Sequence, residues 1–146
     1  MVAEEGSANH LLVDLDALGV LVDALLSKAV LVKRAAAEAL AFLVRDDNVR
    51  QGIQNDRLLQ VALGELAKSQ DSILTENLLL ILMNLSLAKL FKPAIYESGL
   101  LDSLVYNMVN GRTAEEQIYA IRIAFNLCYN ADVKAKNYQR LHSYLS

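Results

Sequence analysis

Three residue pairs stand 42 positions apart: Phe42-Leu43, Asn84-Leu85 and Asn126-Leu127 each close an apolar run. Ala39, Ile81 and Ile123 lie three positions before the first member of each pair. Val49, Phe91 and Val133 keep the register downstream, as do Ile53 and Ile95, then Leu58-Leu59 and Leu100-Leu101. A fixed period of roughly 20 to 50 residues marks an array of supersecondary units that share one continuous core by stacking. The period narrows function as well as fold, because such arrays offer long surfaces and seldom carry chemistry.

Composition agrees with a helical unit. The 146 residues suit one ordinary domain. Apolar residues make up 54%, with six Gly, one Pro and no Trp, too little turn chemistry for a sheet protein. Leu and Ala dominate, and both favour helix. The expected class is all-α. A net charge of −3 with scattered basic residues argues against nucleic acid, which needs a clustered basic face. The densest basic pair, Lys33-Arg34, reads as a solvated helix face.

Cys128 is the only cysteine, so no internal disulfide forms, and it reads as a buried structural thiol. Met1 to Ala8 has neither a basic start nor an apolar run, so no signal peptide is expected. The most apolar stretch, Asn77 to Phe91, is interrupted by Asn84, Ser86 and Lys89 and falls short of the roughly 20 residues a membrane span needs. It reads as a central buried helix. The expected location is cytoplasmic, with the nucleus second.

Residues 1–8 read as a flexible leader and 9–146 as a single domain, with repeats over about 9–47, 48–89 and 90–131 and capping helices over 132–146. Helices are expected over Asn9–Leu15, Gly19–Leu26 and Val30–Val44. Further helices are expected over Asn48–Asn55, Leu58–Ala67, Ile73–Leu87, a short stretch from Pro93 to Gly99, Leu100–Val109 and Ile118–Asn130. Asp71 or Ser72 can cap the second long helix. Gly99 suits a helix end with positive φ. Thr113-Ala114-Glu115-Glu116 fits a capping box. Gly19 precedes Phe42 by 23 positions and Gly99 precedes Asn126 by 27. The first unit is therefore expected to have a middle-to-long loop shorter by about one helical turn.

Three helices in about 42 residues resemble the armadillo repeat. Glu97-Ser98-Gly99-Leu100-Leu101-Asp102-Ser103-Leu104-Val105 looks like that family's E-x-G-x-(I/L)-x-x-L-V opening of its second helix. Ile81-Leu82-Met83-Asn84-Leu85 and Ile123-Ala124-Phe125-Asn126-Leu127 look like its A-L-x-N-L third-helix core. Asn48-Val49-Arg50-Gln51-Gly52-Ile53 looks like its N-x-x-x-x-I first helix. The resemblance spans roughly Gly19 to Arg140. HEAT repeats are the near alternative, with two helices per unit. The resemblance implies a right-handed α-solenoid, an armadillo-like superhelix of three-helix repeats.

In armadillo proteins the third helices line a concave groove, and the Asn of N-L meets the backbone of an extended peptide. Asn84 and Asn126 match it, and Phe42 stands there in the first unit. Members that bind basic import peptides place Trp one turn earlier. Here those positions are Glu38, Leu80 and Arg122, which tells against a basic peptide. Arg122, Asn126, Tyr119 and Tyr129 form a plausible contact face, since Arg and aromatics supply much interface energy. An internal role for the two asparagines and a covering role for the tyrosines stay open beside it.

His10 and His142 have no partner at ligand spacing, and no nucleophile, P-loop or dinucleotide motif is present. Asp46-Asp47 and Glu115-Glu116 read as a helix stop and a helix start. No catalytic, cofactor-binding or metal-binding residue is expected, and the chain reads as no enzyme. The expected function is a protein–protein interaction module, a scaffold or adaptor holding an extended or helical segment of a partner on its concave face. The alternative is an assembly or oligomerisation domain, or a fragment of a longer armadillo array, that associates through its ends, where Leu11, Leu12, Val13, Tyr138, Tyr144 and Leu145 fall.

Overall fold

The computed structural model describes residues 15–88 and 91–128. Those residues form eight helices and no strand. In chain order they are α1 (Leu15–Leu25), α2 (Val30–Leu43), α3 (Asp47–Gly52), α4 (Arg57–Lys68), α5 (Ser72–Leu85), α6 (Lys92–Glu97), α7 (Leu100–Asn110) and α8 (Ala114–Cys128). The leader, the Asn9–Leu15 helix but for its last residue, and the capping helices over 132–146 lie outside the described residues.

The long helices α2, α5 and α8 begin at Val30, Ser72 and Ala114, 42 positions apart each time. The order short, middle, long occurs twice, as α3–α4–α5 and α6–α7–α8. The first unit does not have the shorter middle-to-long loop: residues 26–29 separate α1 from α2, and residues 69–71 separate α4 from α5. Gly19 misled because it lies inside α1, where it marks no boundary. Gly99 is the true marker: with φ of 81° it starts α7 from the left-handed region that glycine adopts without strain.

Local chemistry sets the helix ends. Asp46 caps α3 by accepting from the Asn48 and Val49 amides at 2.7 and 3.4 Å. Asp71 caps α5 through Leu74 N–H at 2.8 Å. The capping box at α8 is complete: Thr113 N–H donates to Glu116 Oε2 at 3.0 Å and Glu116 N–H to Thr113 Oγ1 at 3.1 Å. Pro93 sits in the first turn of α6, where its missing N–H costs nothing. After α7, a Cβ on Gly111 would fall 2.7 Å from Asn107 O, so the turn needs glycine.

The chain divides inside α5 into two compact units, one ending at Ile81 and one starting at Leu82. In the first, α1 packs on α2 and on α4. Its core holds Val22, Leu25, Ala37, Leu40, Leu59 and Ala62, with Leu78 and Leu79 of α5. In the second, α7 packs on α6 and α8. Its core holds Leu82, Leu85, Ile95, Leu104, Ile123 and Leu127. Phe42 and Leu26, in apolar runs of the sequence, are exposed. Cys128 is half-buried rather than buried. Among the described residues no helix is long and apolar enough to cross a membrane.

Leu85 is fully buried. Leu85→Ala should cost about 2–5 kcal/mol through lost burial and the cavity left behind. Urea denaturation measures it, and a loss well under 1 kcal/mol would show that the register of α5 is misassigned.

Candidate functional site

The long helices end in carbonyl groups that no helical N–H can reach. In both units a polar side chain from further along the chain satisfies them. Arg50 of α3 is buried and donates from Nη1 to Val44 O at 2.7 Å and Arg45 O at 2.9 Å, just past α2. Its other end nitrogen reaches Asp47 Oδ1 at 3.1 Å.

At the end of α5 the last turn tightens, with Leu87 N–H donating to Asn84 O and leaving Met83 O to side chains. Ser86 Oγ donates to Met83 O at 2.6 Å. The amide of Asn126 donates from Nδ2 to Ser86 Oγ at 2.9 Å and to Met83 O at 3.3 Å. Asn126 thus ties α8 to the end of α5 inside the second unit.

Asn84 is buried, and Asn126 and Tyr119 are half-buried. Glu38 of α2 and Arg122 of α8 are exposed, each one turn before the Asn register. The structure brings Tyr119, Arg122 and Asn126 onto one side of α8. Glu38 belongs to the first unit and Asn84 to the second. Tyr129, His10 and His142 lie outside the described residues. Among the described residues no cluster of His, Cys, Asp and Glu could hold a metal ion.

Phe42 is 68% exposed, and the Arg45 guanidinium lies 5.8 Å from its ring centroid, a cation–π arrangement. It occupies the register that Asn84 and Asn126 hold in the later long helices.

Lys33 and Arg34, read from sequence as a solvated face, instead tie the first unit together. Lys33 pairs with Glu65 of α4, and Lys68 closes on the same carboxylate at 3.0 Å. Burial raises the Glu65 pKa, but hydrogen bonds from Lys33 and Lys68 outweigh it and the net shift is downward. Arg34 Nε donates to both Asp71 oxygens at 3.1 Å. That hydrogen bonding, with the Leu74 amide, holds the Asp71 carboxyl at about 2. An open cleft of about 450 Å³ adjoins these pairs, and Lys28, Lys33, Glu65, Lys68 and Asp71 line it. Its lysines 33 and 68 already face Glu65, so the cluster reads as a structural seam. Nothing in the sequence marks partners more than 30 positions apart.

No protein-family model matches the chain, and no curated protein or solved structure matches it.

Asn126→Ala removes the donor to Ser86 Oγ and the second of two donors to Met83 O, which keeps Ser86, and should cost about 1–3 kcal/mol. Arg122→Ala, on the exposed side, should stay within about 0.5 kcal/mol. Equal costs in urea titrations of the two variants would contradict this division of roles.

The Asp71 carboxyl lies below its ordinary 3.8, so its contribution is full above that value and is lost as pH falls towards about 2. Melting temperature should fall across this window more steeply for wild type than for Asp71→Asn. Parallel curves would show that the Arg34–Asp71 pair contributes nothing.

Proposed function

We propose that the chain is an interaction module built as an armadillo-like right-handed α-solenoid. It holds an extended or helical segment of a partner protein along the face its long helices share. Glu38, Asn84, Tyr119, Arg122 and Asn126, with Tyr129, are the residues proposed for that face. The observation that supports it most is Phe42. A large aromatic left 68% exposed in the register of Asn84 and Asn126 is the kind of anchor that interfaces use.

The internal bonds of Asn126 alter what its position can offer. Its amide nitrogen is engaged, so a partner would meet the carbonyl oxygen and the neighbouring side chains. Recognition then falls on Phe42 and on the two exposed charges. Arg122 favours an acidic or phosphorylated side chain, because its fork matches both. Glu38 favours a basic one. The expected ligand is a segment with opposite charges towards its two ends.

The second reading, assembly through the array ends, has its own support in the exposed apolar side of α8, where Ile118 and Ile121 lie.

Selection of displayed random peptides on the wild-type chain tests the first reading. Phe42→Ala combined with Arg122→Glu should keep the helical signal and weaken the selected peptides at least about tenfold, roughly 1.4 kcal/mol. Unchanged affinity in a folded variant would place the binding surface elsewhere. A wild-type chain that selects no peptide but self-associates would favour the second reading.

A further inference from the structure

The seam between α2 and α4 holds more positive charge than it neutralises. Lys33 and Lys68 grip the two oxygens of one buried carboxylate, that of Glu65. An ammonium has three donors, and Glu65 accounts for one on each lysine. Asp71 is answered by Arg34. Lys28, between α1 and α2, lines the same cleft, is exposed and has no carboxylate partner among the described residues. Four cations therefore stand against two carboxylates, in a chain whose net charge is −3. All of them belong to the first compact unit. The cleft they border measures about 450 Å³, within the roughly 300–1,000 Å³ of small-molecule sites. Its wall is not polar throughout, because Val30 and Leu74 also line it.

We propose that this cleft binds a phosphate monoester carried on an apolar stem. Such a group bears about −1.5 to −2 charge near neutral pH, which matches the surplus of two positive charges. Its three terminal oxygens can accept from Lys28, Lys33 and Lys68, and lysine serves phosphate as a point charge. A carboxylate, with one charge and two oxygens, would leave a lysine unanswered. A bare phosphate ion fills only a fraction of the cleft, and a stem beside Val30 and Leu74 takes the rest. Glu65 also sets where two of the ammoniums stand, so the ligand meets them with little ordering left to do. The proposal rests on these side chains alone and not on the peptide-binding face.

Amide NMR of the full chain, titrated with phenyl phosphate, tests the site. Amides of residues 28–33 and 65–74 should shift saturably, and benzoate and inorganic phosphate should each bind at least about fivefold more weakly. Lys28→Gln breaks no ion pair among the described residues, so it should keep the dispersed spectrum of the fold and weaken phenyl phosphate at least about fivefold. Lys68→Gln should do the same, since Lys33 still serves Glu65. Arg57→Gln, at the opposite end of α4, should leave the affinity unchanged. A phosphotyrosine pentapeptide separates the two sources of such a group. Binding tighter than phenyl phosphate assigns the group to a side chain of a partner protein, and equal or weaker binding assigns it to a free small molecule; either upholds the cleft. No saturable shift in wild type, equal affinity for benzoate or inorganic phosphate, or unchanged affinity in Lys28→Gln and Lys68→Gln would overturn the proposal.

Discussion

The fold is built on burying the apolar side chains of α5: Leu78, Leu79, Ile81, Leu82 and Leu85 are all fully buried, a wider arc than the single stripe of a surface helix. Each such leucine or isoleucine contributes about 1.5–3 kcal/mol when removed from water. Polar chemistry is therefore pushed to the helix ends and to the seams between helices. Arg50, Ser86 and Asn126 serve carbonyls that the helices leave over. Glu65 is buried and answered by two lysines. A buried carboxylate left without a partner would be strongly destabilising, and the two lysines guard against that at the seam of α2 and α4.

The same logic separates what the face of a long helix can do. A side chain already engaged in capping has little left for a partner. Asn126 shows this for its nitrogen. Phe42 and Glu38 of α2 and Arg122 of α8 are exposed, and Arg45 covers one side of the Phe42 ring. In α8 the asparagine of the recurring register supports architecture, through its bonds to Ser86 and Met83.

Much of the fold was legible because it is local. The period of 42 reproduces the starts of the three long helices. The Thr113–Glu116 box, the Asp71 cap and the Gly99 turn each involve residues within a few positions, and the chemistry of those residue types announces them. Gly19 failed for the complementary reason: one glycine without flanking cap chemistry does not mark a boundary. Lys33, Arg34 and Arg50 were opaque because their partners are set by tertiary approach. The bonds of Asn126 to α5 were opaque in the same way, although an internal role was one of the readings the residue type allowed.

The polar ties also bear on how the chain finds its structure. Lys33 to Glu65, Arg34 to Asp71, Asp23 to Arg57 and Asn126 to Met83 join residues separated by 32, 37, 34 and 43 positions. Loop-closure entropy grows only slowly with length, so these closures cost nearly the same. Each spans about one repeat. All four lie inside one compact unit or the other, the first three before Ile81 and the fourth after Leu82, so each unit carries its own polar ties to be broken when it opens.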